Sequence, residues 1–181
     1  MERLYINTHW EKKLRSLMES DEKIFLGKIP VRGGLYQGEW KSCKRHGHGK
    51  MIYPDKRVYE GDWSRDKRHG FGTLTYQTRR GHVKQYAGEW EEDVKQGYGV
   101  MIYNNTTNYE GEWMLDRRSG WGRMTYSDGS YYEGEWVGGV RQGVGVIMYQ
   151  NNNIYEGEWV DDLRHGRGRY ISVNTGYTQV D

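Results

Sequence analysis

The sequence predicts an all-β fold, an elongated single-layer antiparallel meander of hairpins with a short capping helix ahead of it. Three observations carry this prediction. Tyr-x-Gly-(Glu/Asp)-Trp recurs six times, starting at Tyr36, Tyr59, Tyr86, Tyr109, Tyr132 and Tyr155. Each Trp is followed seven residues later by a Gly-x-Gly pair, starting at Gly47, Gly70, Gly97, Gly120, Gly143 and Gly166. Eighteen of the 26 glycines fall at these repeated positions, so the glycine content is a structural period and not linker composition.

Before the array, in residues 1–35, Thr8 to Glu11 fit a capping box, and Trp10, Leu14, Leu17 and Met18 form a one-sided stripe. This predicts a helix over about residues 9–19 that covers the first repeat. Residues 23–29, KIFLGKI, read as a short strand ended by Pro30. Residues 36–169 then hold six repeats spaced by 23 residues, with one insertion of four at 77–85.

Within YEGEW the Tyr, Gly and Trp alternate with acids, and in GWGRMTY Gly120, Gly122, Met124 and Tyr126 share one face; two such strands make a hairpin. If Trp113 pairs with Gly120 across that hairpin, the turn centres on Asp116 and Arg117, Gly111 faces Gly122, and the indole lies over the bare glycine backbone. An odd period would swap the aromatic face in each unit unless one connection absorbs a residue. SDGSY is therefore expected to be a three- or five-residue loop or to carry a Gly bulge, with Gly129 a candidate for positive φ. The sixth unit has Ser172 where the others have a second-strand Tyr, and residues 170–181 read as a weaker strand pair, either a second cap or a frayed end.

Composition narrows the function. Lys and Arg number 27 against 25 Asp and Glu, a net charge of +2, which argues against a nucleic-acid module because a phosphate footprint needs a concentrated basic excess. There are 8 Trp and 16 Tyr but only 2 Phe, so amphipathic rings do the packing. No apolar run is long enough to span a membrane, and MERLYINTHWEKKLR has no signal-peptide core, so a cytoplasmic location is expected. Cys43 is the only cysteine, leaving no internal disulfide or Cys-rich zinc site.

YEGDWSRDKRHGFGTLTY, YEGEWMLDRRSGWGRMTYSDGS and YEGEWVDDLRHGRGR resemble MORN repeats, over residues 36–169. The resemblance implies a single-layer sheet with an aromatic groove, and a scaffold role in place of catalysis. The insertion after unit two, with YAGEW and SGWGRM, is similar to small animal members of the family found in testis and sperm. That likeness implies a cytoskeletal, ciliary, flagellar or acrosomal setting.

No catalytic constellation emerges. Glu39, Asp62, Glu89, Glu112, Glu135 and Glu158 would form six equivalent sites, whereas acid-base chemistry needs two carboxyl groups in unlike environments; they read as solvated or turn-stabilising acids. His46 and His48 lack further metal ligands, and the Gly-x-Gly pairs open no helix, so no phosphate loop or cofactor is expected. The leading reading is protein recognition: a helical or extended segment of a cytoskeletal or signalling protein lies against Trp90, Tyr103, Trp113, Tyr126, Trp136 and Tyr149. A second reading uses Lys44, Arg45, Lys67, Arg68, Arg117, Arg118, Arg141 and Arg164 as a basic edge for anionic lipid. A third is a structural homodimer through the array ends or N-terminal helices.

Overall fold

A computed structural model describes residues 16, 19–77, 83–173 and 178–180. Among these residues fourteen strands form one antiparallel sheet whose spatial order is the chain order throughout. After β1 (Ile24–Val31) come β2 (Gly34–Lys41) and β3 (Lys44–Ile52), then β4 (Val58–Ser64) and β5 (Lys67–Gln77). The series continues through β6 (Val83–Glu91), β7 (Val94–Ile102), β8 (Asn108–Met114), β9 (Arg117–Thr125) and β10 (Tyr131–Val137). It closes with β11 (Val140–Met148), β12 (Ile154–Val160), β13 (Leu163–Ile171) and β14 (Thr178–Val180). The hairpin meander expected from the repeat is the fold; most of the expected N-terminal helix, including its capping box and Trp10, lies outside the described residues.

Two expectations about the ends are refined. β1 runs through Pro30, which pairs with Leu35, instead of stopping before it. Among the described residues β1 has a strand on one side only, so a residue without an N–H is tolerated on its open side. β14 pairs with β13, Arg169 facing Val180, so the second C-terminal strand does form.

The two kinds of connection solve the parity problem differently. The first four residues of SDGSY lie in a five-residue connection, residues 126–130, closed by the Tyr126 N–H donating to the Ser130 carbonyl at 2.9 Å, and Tyr131 opens β10. Gly129 has φ 87°, as expected. The Trp-to-Gly connection is tighter than expected: Met114 pairs with Arg117, and Leu115 and Asp116 form a two-residue turn with φ 50° and 64°. That double left-handed geometry is the type I′ turn whose twist matches a hairpin.

The short turn corrects the Trp113–Gly120 pairing. Gly111 does face Gly122, but Trp113 faces Arg118, because a bulge between them shifts the register. Gly120 sits in the bulge with φ 54° and pairs instead with Trp136 of the following repeat. Gly47–Trp63, Gly97–Trp113 and Gly143–Trp159 repeat this inter-hairpin pairing. The aromatic ring lying on a glycine is the Tyr: a Cβ at Gly122 would overlap the phenol of Tyr109.

Candidate functional site

Successive repeats are locked together by a continuous ladder of rings. Tyr109 meets Trp113 of its own strand at 5.2 Å and Trp136 of the next repeat at 5.4 Å, edge to face in both cases. The same double contact recurs at Tyr36, Tyr59, Tyr86 and Tyr132. Such pairs contribute about 0.5–1.5 kcal/mol each beyond area burial.

Polar tips are satisfied in register. Tyr109 Oη donates to the Glu112 carbonyl at 3.0 Å, and Trp136 Nε1 donates to the Gly122 carbonyl at 3.0 Å. Trp40, preceded by β1 and not by a Gly-x-Gly strand, has a buried Nε1 with no acceptor among the described residues.

The acids at the fourth motif position have a structural task. Glu112 accepts the Trp121 N–H at 2.9 Å and Glu89 accepts the Tyr98 N–H at 2.8 Å, holding the bulge that the left-handed glycine creates. The same contact holds Glu39 below the usual carboxylate range, chiefly through the His48 amide and helped by Lys23.

Of the six residues placed at the partner face from sequence, Trp90, Trp113 and Trp136 are buried in the ladder, while Tyr103, Tyr126 and Tyr149 are half-buried beside it. The tryptophans therefore form a floor, and the second-strand tyrosines are the reachable rings of that face.

The basic residues divide. Lys44, Lys67 and Arg117 are exposed beside the turns. Arg45, Arg68, Arg118 and Arg141 instead fold over the indole of the next repeat, 4.1–4.4 Å from its centroid. Lys95, which the sequence reading passed over, occupies the same place over Trp113 at 5.4 Å. Arg164 lies over Tyr155 at 5.2 Å. Three of the stacked arginines are also ion-paired: Arg45 to Asp66, Arg68 to Asp93 and Arg141 to Asp162, at 2.9–3.1 Å.

A second row was missed. The middle residue of each Gly-x-Gly points to the opposite face, where Phe71 is 66% exposed and Tyr98, Trp121 and Val144 are each 50% exposed. Period-two alternation from Gly120 and Gly122 already assigns Trp121 to that face, which is the signal that could have found it.

The buried phenols are expected to weaken the fold in alkali. Burial raises Tyr36, Tyr59, Tyr86, Tyr109 and Tyr132 well above the ordinary phenol value. Smaller opposing pulls come from Arg45 on Tyr36, Arg68 on Tyr59, Arg118 on Tyr109 and Arg141 on Tyr132. With the folded value above the unfolded one, this stabilisation is complete below about pH 10 and is lost as pH rises toward the folded values. Phenolate absorbance from these rings should thus appear together with loss of the sheet circular-dichroism signal in an alkaline titration. Gradual ionisation with an unchanged sheet signal would refute the burial argument.

The MORN repeat family model matches residues 36–56, 59–78, 86–107, 109–131, 132–154 and 155–177. The chain belongs to the MORN-repeat family, and it is a repeat-based protein-interaction scaffold with a buried aromatic cluster. No curated protein matches the chain. Among the described residues no three potential metal-ligating side chains cluster, and no helix is long and apolar enough to cross a membrane.

Proposed function

We propose that the array holds a helical or extended segment of a partner protein along its aromatic face, in a cytoskeletal or ciliary setting. The observation that supports this most directly is the single layer itself: among the described residues no second layer of strands covers the row of half-buried tyrosines, and only the Lys84 ammonium lies over the Tyr103 ring, 5.8 Å from its centroid. Tyr103, Tyr126 and Tyr149 supply the contact, and Trp90, Trp113 and Trp136 set the shape of the floor beneath them. Tyrosine suits such a surface because it offers rigid contact area with few torsions and a polar tip.

A second location is favoured by exposure: the row of Phe71, Tyr98, Trp121 and Val144 is more accessible than the tyrosine row. Anionic-lipid attachment ranks lower, since three of the proposed arginines already have carboxylate partners. The association with cilia, flagella or sperm, and a homodimer, rest on the family resemblance.

Photocrosslinking from either row, in extract of ciliated or germ cells, separates the two locations. Tyr103→Ala with Tyr126→Ala should abolish partner crosslinking while circular dichroism stays native. If that folded variant retains full crosslinking and Tyr98→Ser with Trp121→Ser loses it, the tyrosine face is not the site.

A further inference from the structure

At four repeat junctions one Asp carboxylate closes the same contact. Asp66 Oδ1 accepts from the main-chain N–H and Nε of Arg45 at 3.0 and 3.1 Å. Asp93 takes both from Arg68 at 3.0 and 2.9 Å, and Asp162 takes both from Arg141 at 3.0 and 2.9 Å. At the remaining junction of this kind, Asp116 accepts from the main-chain N–H and Nζ of Lys95 at 3.1 and 3.0 Å. In each case the acid is the second residue of the two-residue turn that follows.

The junction between β9 and β10 breaks this rule. Arg118 is stacked on Trp136 at 4.1 Å like its counterparts, and its Nη2 donates to the Gly139 carbonyl at 2.5 Å. The Gly139 N–H donates to the Arg118 carbonyl at 3.0 Å, as the Asp N–H does elsewhere. The turn residues, however, are Gly138 and Gly139, so the carboxylate is missing. Among the described residues no carboxylate reaches Arg118, and the nearby Asp116 is already on Lys95 at 3.0 Å.

We propose that Arg118 and the Gly138–Gly139 turn form a receptor notch for one carboxylate of a partner protein, an Asp or Glu side chain that takes the place of the absent turn acid. The donors are preorganised: stacking on Trp136 and the bond to Gly139 fix the guanidinium, so the main-chain N–H and Nε are held as in the occupied junctions. The notch is open, because a Cβ at Gly139 would meet nothing within 4 Å. Arg117 is exposed beside it and adds a second positive charge. A protein carboxylate is the favoured occupant because the same donor pair holds an Asp oxygen elsewhere in this chain. The proposal does not depend on which sheet face seats the rest of the partner.

The test is a nuclear magnetic resonance titration of the full chain with N-acetyl-aspartyl amide, with N-acetyl-asparaginyl amide as the uncharged control. The Arg118 main-chain and Nε signals should shift and saturate with the Asp probe alone, while the matching Arg141 signals, already occupied by Asp162, stay still. Gly139→Asp should supply the missing group in cis, pre-shifting the Arg118 signals and abolishing their response. Asp occupies the same turn position at φ 74° in Asp93, against 98° at Gly139, so the turn must close slightly to seat it. Equal responses at Arg118 and Arg141, or an undiminished response in Gly139→Asp, would overturn the notch. A third arm with inorganic phosphate, saturating Arg118 well below the Asp probe, would overturn the carboxylate assignment in favour of a phosphate-bearing ligand such as a lipid headgroup.

Discussion

Trp136→Ala is expected to be the most damaging single truncation in the array, lowering stability by about 3–5 kcal/mol. The indole is 1% exposed and joins two repeats by meeting Tyr109 at 5.4 Å and Tyr132 at 5.2 Å. Its loss opens a cavity between hairpins, leaves the Gly122 carbonyl without its indole donor and takes the platform from under Arg118. Trp136→Phe keeps most of the ring but not the hydrogen bond and should cost about 1–3 kcal/mol, set by the unsatisfied acceptor and a smaller void. Tyr98→Ala, on the exposed row, should stay within about 1 kcal/mol, as for other surface changes. Urea unfolding of the three variants checks the order; equal losses for Trp136→Ala and Tyr98→Ala would show that the ladder does not hold the repeats together.

Gly122→Val should come next and exceed both Gly120→Val and Ser119→Val. A side chain at Gly122 would overlap the phenol of Tyr109, which is fully buried and pinned by its bond to the Glu112 carbonyl. Overpacking of this kind costs about 1–3 kcal/mol and more where nothing can yield. At Gly120 the obstacle is the Glu112 carboxylate, which can swing to solvent, leaving chiefly the left-handed backbone at φ 54°, a cost of about 1–2 kcal/mol. Ser119 has ordinary geometry and should change little. Thermal melts that rank Gly120→Val above Gly122→Val would mean that backbone conformation, and not ring contact, sets the glycine requirement.

These glycines also mark where the sequence was legible and where it was ambiguous. Facing glycines at 111 and 122 could be read directly, since alternation and symmetry allow little else. The partner of the indole could not. In a 23-residue repeat, a glycine seven residues after one Trp stands sixteen residues before the next, as Gly120 does for Trp113 and Trp136. Translational symmetry makes the two pairings indistinguishable until the turn length is known, and the turn length depends on two non-glycine residues, Leu115 and Asp116, adopting positive φ.

The site was affected by the same kind of ambiguity. Tyr103, Tyr126 and Tyr149 were readable as a row, yet the burial of their Trp companions follows from ring contacts between neighbouring repeats, which no single repeat displays. The basic residues looked like one edge because each stands near a turn. In fact the first of each pair stays outside while the second crosses to stack on the next indole, a difference of one position in a period-two strand. The notch at Gly139 becomes visible only once the other junctions show what an Asp does there.

Strict chain order among the strands has a kinetic consequence. Each strand from β2 to β13 needs only its immediate predecessor and successor, and many connections are short enough that closing them costs little entropy. Contact order is correspondingly low for an all-β protein, a class usually slowed by pairing between distant segments. A nascent chain can therefore register each hairpin against the one before it as it emerges, adding an indole to a waiting Tyr and glycine carbonyl, without holding a long unpaired edge open for the rest of the molecule to arrive.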